Sequence, residues 1–126
     1  MNDTQPNLDR LAAQYAQAII SRTPKENDVE NTITKALGVL QENGVYACFL
    51  YLKAKEKENG GVVVEEMLNM LDGLGFGWGR PTGASAEAVL KHIAEKVTVD
   101  LERLLLAKET LEQMLIYARY GAKARD

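Results

Sequence analysis

The chain has 126 residues, 46% apolar and 26% charged, with a net charge of −3 and a single cysteine, Cys48. A chain of this size and composition builds one globular domain on its own core, without needing disulfides or metal. One cysteine excludes an intramolecular disulfide, and the acidic balance argues against a free-standing, non-specific nucleic-acid binder, whose surface is normally strongly basic.

The N-terminal stretch MNDTQPNLDR has no basic segment followed by an apolar one, so no signal peptide is expected. Leu8, Leu11, Ala12, Tyr15 and Ile19 recur at helical spacing and predict a first helix over 7–21. SRTPKEND breaks it, with Pro24 disfavouring helix at Thr23. Asp28 is the expected N-cap of a second helix over 28–42, whose inward face is Val29, Ile33, Ala36, Leu37 and Leu40. Asn43-Gly44 stands where a C-capping glycine belongs. A third helix is predicted over 45–58. Its first two turns, VYACFLYL, are apolar on all sides and are expected in the middle of the domain. That run is far short of the roughly 20 residues a bilayer requires, so the expectation is a cytoplasmic protein with no membrane partner. Asn59-Gly60-Gly61 is read as the end of this helix.

In VVVEEMLNMLDGL, Val62–Val64 also suit a strand, but Val63, Met67, Met70, Leu71 and Leu74 keep helical spacing and nothing else in the chain alternates, so a fourth helix is predicted over 62–73. A glycine-rich loop follows at 73–84. Ser85 is the expected cap of a fifth helix over 85–96, with Ala86, Val89, Leu90, Ile93 and Val97 inward. Thr98 is read as the start of a last helix over 98–123, with the stripe Leu101, Leu104, Leu105, Leu111, Met114, Leu115 and Ala118. The architecture predicted is all-α, a single-domain bundle of five to six helices.

The loop GLGFGWGRPTG (73–83) raises the question of phosphate binding. A Walker loop needs lysine and a hydroxyl after its second glycine, and no lysine lies within 67–83. The dinucleotide fingerprint needs a third glycine where Trp78 or Arg80 stands, and a preceding strand where a helix is predicted. The plain reading is a mobile connector whose Phe76 or Trp78 tucks onto the bundle. The sharper one is a loop whose aromatics and Arg80 stack on bases or fill a partner's pocket.

Catalytic constellations are missing. His92 and Cys48 together cannot make a zinc site. His92 is read as a surface or boundary residue and Cys48 as a core hydrophobe. Glu65-Glu66 and Glu109/Glu112 are placed on solvated helix faces. No catalysis, metal or cofactor is expected. Two basic clusters remain: Lys53, Lys55 and Lys57 at the end of the third helix, and Arg119, Lys123 and Arg125 at the end of the last, interleaved with Tyr117 and Tyr120. Helix dipoles alone favour cations there. The alternative is that both clusters decorate one surface and meet a phosphate backbone.

Three segments, LDRLAAQYA (8–16), LGVLQENGVYACFLYLKAK (37–55) and LAKETLEQMLIYARYGAKA (106–124), resemble the small subunit of the Cmr complex, the type III-B CRISPR RNA-guided effector. Arg10, Tyr15 and Ala16 match an Arg-x-x-x-x-Tyr-Ala-like element of its first helix. Asn43, Gly44, Phe49, Leu50, Lys53 and Lys55 match its Asn-Gly before an apolar helix ending in lysine. Glu109 and Leu111, then Arg119, Tyr120 and Gly121, match the two ends of its last helix, with Ile116 in place of tryptophan and Ala118 in place of lysine. The match covers about half of the chain. IYARYGAK also resembles the end of the small subunit of the related type III-A (Csm) complex; the Asn-Gly segment favours Cmr.

The resemblance implies a non-catalytic helical subunit that stacks head to tail, weakly, as a minor filament. Its implied partners are the backbone ribonuclease subunit, the large subunit, and the guide and target RNA. On this basis Lys53, Lys57, Arg119, Lys123, Arg10 and Arg80 are the expected RNA-backbone contacts. A helical protein–protein adaptor with no RNA contact, using the aromatic loop, is the alternative.

Overall fold

A computed structural model describes residues 7–55 and 58–125. Helix α1 (Leu8–Arg22) begins where the Asn7 side chain accepts from the Arg10 amide at 3.0 Å. It ends at Thr23, whose hydroxyl returns to the Ile19 carbonyl at 2.9 Å. A 3₁₀ turn (Lys25–Asn27) leads to α2 (Val29–Asn43). Asp28 occupies the N-cap position, as expected, but in the left-handed region (φ 53°) and without a side-chain capping bond. Gly44 closes α2 at φ 97°, a conformation that favours glycine, and its amide donates to the Leu40 carbonyl at 3.0 Å.

Helix α3 (Val45–Lys55) and helix α4 (Glu58–Asp72) follow. Asn59-Gly60-Gly61 therefore does not stop α3. It forms the first turn of α4, where the amides have no intrahelical acceptor to lose and glycine is tolerated. Val62–Val64 are helical and not strand. The glycine loop leads to α5 (Ala86–His92), capped by Ser85, whose Oγ accepts from the Ala88 amide at 3.1 Å. The helix widens into a π-turn over Ile93–Val97. Thr98 ends this element, donating to the Ala94 carbonyl at 2.8 Å, and does not begin the next. Asp100 is the cap of α6 (Leu101–Ala124), accepting from the Arg103 amide at 3.1 Å.

The chain is one all-α domain, with no strand among the described residues. Helix α1 packs most extensively on α6. The two run parallel: Tyr117 donates to the Asp9 carboxylate near the start of α1, and Arg125 reaches the carbonyls of Ile20 and Thr23 at its end. A Cβ on Gly121 would lie 3.2 Å from Ile20 Cγ1, so glycine there sets the closeness of this pair. Helix α4 runs antiparallel to α1, with Leu11 against Gly73 and Arg22 against Glu66. Helix α2 packs on both α3 and α6 and lies between them. The core gathers Ile19, Ile33, Leu40, Phe49, Leu52, Met67, Met70, Leu71, Ile93, Leu111 and Met114, all fully buried.

Two parts of the expected core are open. Helix α3 buries Val45, Cys48, Phe49 and Leu52, whereas Tyr46 and Leu50 face solvent, so its first turns are not enclosed. In α6 the stripe is buried from Ala107 onward, but Leu101 is 67% exposed and Leu105 52%.

Candidate nucleic-acid interface

The glycine loop is the element that shapes the surface. Gly75, Gly77 and Gly79 adopt φ of 85°, 76° and 68°, so the chain turns at alternate residues and throws Phe76 and Trp78 inward. The two rings meet edge to face at 5.0 Å, and Trp78 is buried. The Arg103 guanidinium covers Phe76 at 5.1 Å from the ring centroid. The aromatics thus belong to the bundle, which is the plainer of the two sequence readings. The loop then returns along α4, and Lys53 at the end of α3 donates to the Ala84 carbonyl at 2.8 Å.

This return path makes a cleft of about 550 Å³ between α3, α4 and the loop. Lys53 and Arg80 line it together with Arg22 and Glu65. Of the six cations expected from sequence, these two are the ones brought to a common cleft. Lys57 lies outside the described residues. Lys123 is on the α2 side of α6, paired with Glu30 at 3.4 Å. Arg119, one turn earlier, is half-buried, and its Nε is enclosed with no hydrogen-bond partner among the described residues. Arg10 is exposed near the start of α1, about 18 Å along the helix from Arg22.

The sequence reading missed three residues. Glu66 was placed in solvent but is 5% exposed; it accepts from Arg22 at 2.6 Å and from Asn69 at 3.0 Å. Arg22 also pairs with Glu65 at 2.7 Å, and its hydrogen bond to Glu66 holds its pKa above the ordinary arginine value. The spacing of Arg22 and Glu66 in sequence carries no signal of that pair. Arg125, read from sequence as one of the cations closing the last helix, caps the end of α1. His92 is only 8% exposed. Desolvation, then the charges of Lys96 and Arg80, push its pKa down, with Asp72 opposing. Cys48 is fully buried, and burial raises its thiol pKa to about 12. Among the described residues, no group of His, Cys, Asp and Glu is placed to hold a metal ion, and no helix is long and apolar enough to cross a membrane. Neither models of known protein families, nor curated proteins, nor solved structures match this chain.

Proposed function

We propose that the chain is a non-catalytic helical subunit of an RNA-guided CRISPR effector of the type III-B (Cmr) kind, touching the sugar–phosphate backbone of guide and target RNA while companion subunits do the chemistry. The three resembling segments support the family. The observation that carries the RNA contact is the shared cleft of Lys53 and Arg80, set on an otherwise acidic chain. Base pairing reads sequence in such assemblies, so the protein supplies only shape and charge. Tagged chain recovered from its native host should bring down a CRISPR RNA with a backbone ribonuclease subunit and a large subunit. Recovery of neither overturns the family reading; recovery of the type III-A set moves it to Csm.

A protein–protein adaptor is the second reading. Val99, Leu101 and Leu105, exposed together around the start of α6, favour it. Partner proteins that persist in the same pull-down with no associated RNA identify the adaptor. Loss of partners on deleting 75–80 assigns the contact to the loop.

A further inference from the structure

Arg80 lines two clefts. One is the α3–α4 cleft already described; the other, of about 220 Å³, lies between the loop and α5 and is lined by Trp78, Pro81, Lys91, His92, Glu95 and Lys96. Pro81 is also common to both, so the two clefts adjoin along the backbone of residues 80–81. We propose that they form one continuous basic track, Lys53–Arg80–Lys91/Lys96, that seats consecutive phosphates of a single RNA strand.

Among the described residues, the cations along this line are not tied to carboxylates. Arg22 is neutralised by Glu65 and Glu66, Lys123 is paired with Glu30, and Arg125 is bonded to three carbonyls. Among the described residues, Arg80, Lys91 and Lys96 are in no ion pair. Lys53 uses one of three donors on Ala84, leaving two. The opposing carboxylates on the track are Glu58, Glu65 and Glu95, and Arg22 offsets one of the two charges of Glu65 and Glu66. Arg80 and Lys96 both lie close enough to act on the enclosed His92 imidazole, with the Asp72 carboxylate opposing them. Trp78 and Pro81 supply an apolar wall suited to ribose, and the loop's anchorage by Lys53 and by the buried tryptophan presents the track ready-formed. Arg10 and Lys35 line neither cleft.

The inference rests on and deepens the RNA-contact reading, extending it from the Lys53–Arg80 cleft across the loop to α5. The test uses the purified full chain, a short fluorescein-labelled oligouridylate and fluorescence anisotropy at low ionic strength. Arg80→Glu and the double variant Lys91→Glu/Lys96→Glu are each expected to weaken binding by about tenfold or more and to lower the salt slope by about 0.7 per cation removed. Lys35→Glu should stay within about twofold of the unmodified chain, since this exposed lysine lies off the track. Arg80→Gln, which removes charge without reversing it, should give an intermediate loss, and thermal melting verifies that each variant is folded. Unchanged affinity in the track variants, an equal loss in Lys35→Glu, or no binding by the unmodified chain overturns the track. A pull-down without CRISPR RNA, beside a track that passes this test, removes the family reading and leaves the track; the converse removes the track alone.

Discussion

Cys48 packs between α2 and α3, and its Sγ lies 3.4 Å from the Ala36 carbonyl, to which the thiol donates. Burial lifts its pKa from 9.0 to about 12. Below about pH 9 both folded and unfolded chains keep the proton; between there and about 12 only the folded chain does. Stability is therefore complete below the unfolded value and falls as pH rises, by about 1.4 kcal/mol per unit if the group acts alone. Urea titrations at about pH 8 and about pH 10 should show the unmodified chain losing about 1 kcal/mol more than Cys48→Ala over that step. Equal losses in the two proteins would refute the assignment, because other titrating groups cancel in the difference. The thiol's burial was legible from VYACFLYL alone, since an apolar run leaves a small side chain no polar alternative. The ionic roles of Arg22 and Glu66 were not. Their pairing joins positions 44 apart and depends on the antiparallel fit of α1 and α4.

At the scale of elements, periodicity identified each helix, and capping chemistry fixed the ends that a side chain or a glycine marks locally, such as Ser85 and Gly44. It failed where tertiary packing decides. Asn59-Gly60-Gly61 reads as a stop in any local rule, yet α4 begins before it, its Asn59 side chain tied to the Asn27 carbonyl at 2.7 Å. Leu101 and Leu105 keep the right spacing, but no neighbouring helix covers them. The loop at 73–84 was legible as a non-nucleotide loop, while its alternating left-handed glycines appear only in three dimensions. A Cβ at Gly77 would meet nothing within 4 Å, so the cost of Gly77→Ala is conformational, about 1–2 kcal/mol. Trp78 is the chain's one tryptophan. Its emission should shift to the red in Gly77→Ala as the loop lifts off the bundle, with α-helical circular dichroism retained. An unshifted spectrum and an unchanged melting point would show that the loop tolerates alanine and that its glycines do not hold the ring in place.

For the whole molecule, the closing contact is between the first helix and the last. Arg125 donates through Nη1 to the carbonyls of Ile20 (2.9 Å) and Thr23 (2.7 Å) and through Nη2 to Pro24 (3.2 Å). The Ile20 carbonyl is one that a helix end leaves without an intrahelical donor, since Pro24 four residues on has no N–H; Thr23 and Pro24 are the cap and the residue after it. One planar guanidinium thus caps α1 with the end of α6, across more than 100 residues of chain. Hydrogen bonds from a charged donor contribute about 1.5–3 kcal/mol each when shielded, but this site is only half-buried, so Arg125→Ala should cost about 2 kcal/mol in total. Lysine keeps the charge and loses the fork; a single ammonium on a flexible stem cannot hold three carbonyls in this geometry, so Arg125→Lys should recover less than half of the loss. Because α1 packs on both α6 and α4, the loss should appear as a lower midpoint of one cooperative unfolding transition. Full rescue by lysine would show that the contribution is helix-dipole electrostatics alone. A loss confined to fraying of the last turn, read by hydrogen exchange with an unshifted midpoint, would show that the two helices are held by their apolar faces and that this cap does not close the bundle.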